Sequence, residues 1–283
     1  MFFDFLPGVG HVGAHRGART LAPENTMLAA ELAVKMGANF WELDVNKVAD
    51  GTLMVFHDDV LSRTTDVASN AGFTGIAPWA THEYSCKELQ QLDAGSWFIE
   101  EDPYGTIASG EVSSATLDKM VGLQIPTLRE ALEFSRRHDL PVNVEIKDQL
   151  QSPGDLSIVD DVLKMAHETE TEDLILLSSF NHDYLTRMHY LAPNMPLAVL
   201  AEKKHPDDIP GYLKLLGATG YHPAKDIIDP ELVRDLASRG IKVNPYTVND
   251  MDQAVSLINA GCFGIITDFV HKLRHRLSTQ SSR

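Results

Sequence analysis

Cysteine is scarce in this sequence: Cys86 and Cys262 are the only two in 283 residues. Two thiols so far apart build neither a disulfide framework nor a zinc knuckle, which leaves two reduced, mostly buried side chains. Long apolar runs are also missing. The best of them, LILL and PLAVLA, are strand-length, and no stretch suffices to cross a bilayer. Positive charge is in short supply, with 24 Lys and Arg against 40 Asp and Glu and a net charge of −16. Such a surface repels nucleic acid and anionic membranes, and stable membrane insertion is not expected. It repels an anionic phosphate too, unless a bound cation and a few basic groups reverse the sign locally. The N-terminus, MFFDFLPGVG, lacks a basic segment and is broken by Asp4 and Pro7. A secretory signal is therefore not expected, and the chain reads as cytoplasmic. No internal repeat or low-complexity tract stands out.

What is present is alternation, with short apolar β-branched runs followed by loops and helical periods. Strand candidates in the first part are HVGAHR (11–16), FWELDVN (40–46), TLMVFHD (52–58), PVNVEIK (141–147) and LILLSSF (174–180). PLAVLAE (196–202), TGYHPAK (219–225), IKVNPYTV (241–248) and GIITD (264–268) follow. Between most of them lie helical stretches such as PENTMLAAELAVKMG, PTLREALEFSRRHD, DPELVRDLASRG and NDMDQAVSLINAG, three of which end in glycine. Near-continuously apolar strands alternating with helices predict a parallel sheet covered by helices, and about eight such units favour a (β/α)8 TIM barrel. The link KVADG is too short for a crossover helix, so TLMVFHD is predicted to be a hairpin partner of the second strand. Residues from about 70 to 125 break the alternation and hold Trp79 and Trp97. They read as a small inserted subdomain or lid after the second barrel strand, within one domain spanning the chain. The last residues, HRLSTQSSR, read as a frayed tail.

Several strands carry polar groups that a buried parallel strand has no structural need for. The first ends in His15-Arg16-Gly17, the second holds Glu42 and Asp44, PVNVEIK holds Glu145 and Lys147, and the hairpin strand delivers His57 and Asp58. A spacing of two puts Glu42 and Asp44 on one side. In such a barrel the site lies at the C-terminal ends of the strands, where these residues are expected to converge. Three carboxylates, Glu42, Asp44 and Glu145, suit a hard divalent cation, and the histidines are left for proton transfer. Arg16 offers a planar fork to a phosphate and Lys147 a point charge. His15 and His57 flanking a phosphorus centre fit a general acid and a general base, in either order. The cation would neutralise charge on the non-bridging oxygens and supply the local sign reversal. The plainer alternative is a salt-bridge network among the same groups, but burying so many charges on several strands is costly. The other histidines read as solvent-facing or structural, with His222 in YHPAK open to a pocket-lining role.

In order along the chain come AHRG (14–17), APENT (22–26), ELDV (42–45), DGTLMVFHDD (50–59) and LDAGSWF (92–98). IPTLREAL (125–132), VEIK (144–147), LLSSF (176–180), YTVN (246–249) and GIITD (264–268) complete the set. This ordered set resembles the glycerophosphodiester phosphodiesterases, of the bacterial cytoplasmic type. The resemblance implies a TIM barrel with an insertion after the second strand. It also implies hydrolysis of glycerophosphodiesters, such as glycerophosphocholine and glycerophosphoethanolamine, to sn-glycerol 3-phosphate and an alcohol. On that footing His15 and His57 match the acid/base pair and Glu42, Asp44 and Glu145 the ligands of one Ca2+ or Mg2+ ion. Arg16 and Lys147 match the phosphate-binding positions. Glu24 and Asn25 are expected to shape and cap the first helix near the site. Tyr246 is expected to pack against the glycerol backbone with its hydroxyl available, and Phe180 to add a second apolar wall. The segment 99–121 is longer than in compact bacterial members and is expected to reshape the substrate entrance.

Two rivals remain. A lysophospholipase D-type or phosphoinositide-type enzyme would need a basic or apolar membrane-facing rim, which the acidic balance opposes. A non-catalytic glycerol phosphate-binding relative would have lost a histidine or a carboxylate, and here all of them are present.

Overall fold

The computed structural model describes residues 1–73, 77–149 and 155–280. β1 (His11–Ala14), β2 (Phe40–Lys47), β4 (Val142–Ile146), β5 (Ile175–Ser179) and β6 (Leu197–Ala201) pair in parallel in that order. β7 (Gly220–Pro223) and β8 (Lys242–Val243) extend the sheet, and β9 (Gly264–Thr267) returns to pair with β1. Hydrogen bonds from Phe263 N to Val243 O (2.9 Å) and from Ile266 N to Pro245 O (3.0 Å) link the two ends, giving a nearly closed barrel of eight parallel strands. β3 (Leu53–Val55) lies off this path, antiparallel to β2, as the short KVADG link requires. The fold is thus the TIM barrel read from the alternation.

Helix α1 (Phe2–Phe5) precedes the barrel, and α2 (Met27–Lys35) joins β1 to β2. Three short helices, α3 (Cys86–Leu89), α4 (Ser96–Glu101) and α5 (Ser114–Leu117), lie between β3 and α6 (Leu128–Arg137). The outer ring continues with α7 (Ser157–Glu168), α8 (His182–Leu191) and α9 (Ile209–Leu215). It ends with α10 (Pro230–Ser238), α11 (Met251–Asn259) and α12 (Val270–Gln280). Alternate strand residues such as Val12, Ala14, Trp41, Leu43 and Val45 point outward and form the main core with these helices. The intervening residues fill the barrel. Phe40, Leu176, Ala198 and Ile266 make its apolar floor, against which α1 packs Phe2 and Leu6 closes the cluster. Phe2 meets Phe40 edge-on at 5.6 Å. The stretch after β3 has its own small core, including Phe56, Leu61, Leu89, Leu92 and Ile125. Residues 74–76 of the stretch expected to form an insertion lie outside the described residues.

Three boundaries differ from the sequence reading. TLMVFHD is strand only over Leu53–Val55, so His57 and Asp58 sit in the loop beyond it. IKVNPYTV is strand only at Lys242–Val243, with an isolated bridge from Tyr246 to Ala224; Pro245 has no N–H to continue the ladder. The predicted frayed tail is helical through Gln280, because Leu273 is buried and Arg276 bonds Asp252 at 2.8 Å. Its residues 281–283 lie outside the described ones. Both cysteines are free, Cys262 buried and Cys86 half-buried.

Candidate active site

At the end of β1 the chain turns sharply. Arg16 adopts a left-handed backbone (φ 53°), and Gly17 follows at φ 81°. A Cβ on Gly17 would stand 2.7 Å from the Ala29 side chain, so only glycine lets this loop sit directly on α2. The turn leaves Arg16 N donating to Glu42 Oε2 at 2.9 Å. Glu42 and Asp44 leave β2 on its inner face, both buried, and Asp44 lies opposite Glu145 of β4 in register. Ligand oxygens of Glu42, Asp44 and Glu145 all come within 4.8 Å of one another.

The electrostatics of this trio suit a cation. Burial and the neighbouring charges of Asp44 and Glu145 push the Glu42 carboxyl well above its ordinary value. Burial and Asp44 likewise raise Glu145, against the opposing pull of Lys147. Asp44 is held low despite its burial, by Arg16, His57 and Lys147. Glu42 Oε1 is buried with no protein partner, an acceptor of the kind a hard divalent ion would use. The donor set is all oxygen and fits Ca2+ or Mg2+. Lys147 Nζ bonds Glu145 Oε1 at 2.8 Å and lies 3.7 Å from Asp44 Oδ1. Arg16 spans Glu24 (Nη1–Oε1, 2.7 Å) and Asp44 (Nε–Oδ2, 3.2 Å). Both expected phosphate-binding groups therefore stand against the carboxylates.

His15 lies 4.0 Å from Glu42 through Nε2, and its Nδ1 is 2.7 Å from Asp268 Oδ1. Burial lowers the His15 pKa, with Asp268 opposing. His57 approaches from the loop after β3, its Nδ1 2.6 Å from Asp58 Oδ1. Asp58 in turn receives Arg63 Nε at 2.5 Å. The two histidines thus share a design: a ring nitrogen tied back to a carboxylate.

Glu24 and Asn25 depart from their expected capping role. Thr26 caps α2, its side chain accepting from Ala29 N. Glu24 gathers Arg16, Arg19 and Arg63. Burial works against its charge, yet the three guanidinium groups hold its pKa down to about 2. Asn25 Nδ2 donates to Asp44 Oδ2 at 2.9 Å, fixing a metal-ligand candidate from the side. Phe180 and Tyr246 do meet, edge to face at 6.0 Å, with Phe180 43 % exposed. The Tyr246 hydroxyl is not available as expected, because it donates to Ala201 O at 3.2 Å. His222 lies inside the barrel, fully buried and 2.9 Å from Asn244 Nδ2, rather than along an open pocket wall.

Several residues of the site escaped the sequence reading as functional: Asp268, Asn249, Arg19, Arg63 and Tyr104. Asp268 stood in a quoted motif, directly after β9, and an acid at the end of a barrel strand was the available signal. Tyr104 comes from the 99–121 segment and stacks over Arg19 at 5.8 Å.

A family model for the glycerophosphoryl diester phosphodiesterase family matches residues 15–272. A glycerophosphodiester phosphodiesterase of Bacillus altitudinis is 35% identical over 90% of this chain and 93% of its own. One from Caldanaerobacter subterraneus is 34% identical over 90% and 92%. Among solved structures, an Oleispira antarctica phosphodiesterase in complex with the product sn-glycerol-3-phosphate superposes with a TM-score of 0.79. It is 29% identical and covers 98% of both chains. With the family model spanning residues 15–272 and relatives at 34–35% identity over nine-tenths of its length, the chain belongs to the glycerophosphoryl diester phosphodiesterase family and is an enzyme of that family.

Proposed function

We propose that the enzyme uses one divalent ion, Ca2+ or Mg2+, to hydrolyse glycerophosphodiesters such as glycerophosphocholine and glycerophosphoethanolamine. The products are sn-glycerol 3-phosphate and an alcohol. The observation that carries the reading is the trio Glu42, Asp44 and Glu145, with the Glu42 and Glu145 carboxyls raised and Glu42 Oε1 unpartnered, set beside Arg16, Lys147 and His15. The product bound to the Oleispira antarctica relative supports the same substrate class. Glu42, Asp44 and Glu145 hold the ion, which when bound neutralises charge on the phosphate oxygens. Arg16 and Lys147 bind the phosphate, Arg16 through its planar fork and Lys147 as a point charge. His15 and His57 hold and move the protons, each oriented by its carboxylate. Phe180 and Tyr246 form an apolar wall for the glycerol or the leaving alcohol. Residues from about 70 to 125 serve as an inserted subdomain or lid within the one domain, a reading supported by the contact of Tyr104 with Arg19. Among the described residues no helix is long and apolar enough to cross a membrane. The acidic surface suits a freely diffusing cytoplasmic enzyme acting on small molecules from lipid and glycerol metabolism.

The test is an assay for released choline, with and without chelator, on glycerophosphocholine and on lysophosphatidylcholine, with glycerol 3-phosphate measured as the second product of the first. Turnover of the first, abolished by chelator and restored by Ca2+ or Mg2+, is expected. Exclusive turnover of the lipid, or none with metal added, overturns the proposal. His15→Ala and His57→Ala should each lose on the order of 10²–10⁴-fold in kcat with metal affinity nearly intact. Glu145→Ala should weaken metal binding first. Histidine variants that lose the metal and keep their rate would reverse these roles.

A further inference from the structure

His15 Nδ1 has three polar neighbours, and they ask different things of it. Asp268 Oδ1 lies at 2.7 Å, Arg19 Nη1 at 3.3 Å and Thr247 Oγ1 at 3.5 Å. A guanidinium only donates, so Arg19 suits a bare Nδ1; an ionised carboxylate only accepts, so Asp268 requires Nδ1–H. The distances decide between them. At 2.7 Å a bare nitrogen would turn its lone pair against those of the carboxylate, whereas Nδ1–H makes a charge-assisted bond of ordinary length. Arg19 Nη1 is also 3.6 Å from Asp268 Oδ1, so its charge supports the same carboxylate.

Asp268 is itself fixed. Its Oδ2 accepts from Asn249 Nδ2 at 2.7 Å. The Asn249 amide cannot turn over, because its Oδ1 accepts from Asp268 N at 3.0 Å and from Thr267 Oγ1 at 3.2 Å. A carboxylate clamped at its far oxygen by a braced amide presents one oxygen to one ring nitrogen. The opposite nitrogen, Nε2, is the one that faces the metal-site carboxylates, 4.0 Å from Glu42 Oε2.

We propose that Asp268, braced by Asn249, is a positioning residue that locks neutral His15 in the Nδ1–H tautomer with the Nε2 lone pair turned into the site. This rests on His15 serving in proton transfer, as in the proposed function. The lock matters because, as acid or as base, His15 then exchanges its proton through Nε2, the nitrogen that faces the site, whereas the other tautomer puts the exchangeable lone pair on the far side of the ring.

The test pairs kinetics with the resting tautomer, read from nitrogen-15 imidazole shifts in histidine-labelled protein and assigned by difference with His15→Gln. The wild type should show His15 as Nδ1–H. In Asp268→Asn the new amide and Arg19 can both donate to Nδ1, so the signal should move to Nε2–H. With it kcat should fall on the order of 10²–10⁴-fold, while KM and metal affinity change by less than about threefold. A wild-type Nε2–H signal, a rate loss without a tautomer change, or an unchanged rate each overturns the proposal. Should Asp268→Asn not fold, Asn249→Ser keeps the carboxylate and carries the same measurement: a mixed tautomer with a partial kcat loss is expected, and an unchanged tautomer overturns it. If the wild type turns over no glycerophosphodiester, the proposed function falls, while the tautomer measurement still decides the role of Asp268.

Discussion

His222 shows what burial does to a single titratable side chain here. It is fully buried in the barrel, its Nε2 meets Asn244 Nδ2, and burial pulls its pKa down to about 3 from 6.5. Between those values the unfolded chain binds a proton that the folded chain refuses, so stability falls as pH drops from 6.5 toward 3. The slope is about 1.4 kcal/mol per pH unit for one such group. Glu24, held to about 2, starts to lose its own contribution only as pH falls below its ordinary 4.5, and the raised carboxyls of Glu42 and Glu145 are common to wild type and variant, so the difference between the two reads His222. Urea melts between pH 6.5 and 5 should therefore show a flatter acid-side decline in His222→Gln than in wild type; equal slopes would sink the account. The candidate site residues differ in how far the sequence alone reveals them. Glu42 and Asp44 were legible because a spacing of two on a strand fixes a shared face, and Glu145 because its strand carries the same oddity. Asp268 and Asn249 were not, since the bond to His15 spans 253 positions and only the closure of β9 on β1 brings the partners together.

At the level of elements, the alternation of apolar runs and helical periods predicted the barrel because each strand is buried on both faces and each helix on one. Helix ends were read from glycine, and Gly37, Gly240 and Gly261 do take positive φ just beyond α2, α10 and α11. The same left-handed turn follows α6 and α7 with no glycine to announce it. There Asp139 (φ 47°) and Glu170 (φ 54°) occupy it. Strand ends were overextended because composition persists after pairing stops, as at Pro245 and His57. The uncovered left-handed residues lead to a prediction. Glu170 is exposed, remote from the carboxylate trio in the fold, and its backbone N–H still closes the turn onto His167 O at 3.2 Å. Glycine removes the Cβ clash of that conformation, roughly 1–2 kcal/mol, but gains unfolded-state freedom of about 0.5–1 kcal/mol. Glu170→Gly should therefore stabilise by up to about 1 kcal/mol with unchanged kcat; a destabilised melt would show that the side chain matters more than the turn.

For the whole molecule the governing quantity is charge. A net charge of −16 opposes an anionic substrate, and the expected local reversal of sign is not achieved by the side chains alone. Six carboxylates (Glu24, Glu42, Asp44, Asp58, Glu145 and Asp268) meet four basic groups, Arg16, Arg19, Arg63 and Lys147. A divalent ion at the trio brings this cluster to balance, so ion and phosphate are expected to bind with positive coupling. The same imbalance bears on folding. Burial and mutual repulsion raise Glu42 and Glu145, which means that the ion-free fold carries carboxylates it holds at a cost. An ion that binds only the folded chain should stabilise it by about 2.7 kcal/mol at a hundred times its Kd, roughly 4–5 °C in Tm for a chain of 283 residues. Glu145→Gln keeps an oxygen for Lys147 while removing one of the repelling charges. Its Tm in chelator should equal or exceed that of the wild type, and its gain on adding Ca2+ or Mg2+ should largely vanish. Thermal scans of both proteins against each ion measure this directly. A wild-type Tm that ignores both ions at millimolar concentration, or a Glu145→Gln variant that gains as much as wild type, would remove the trio from the metal site.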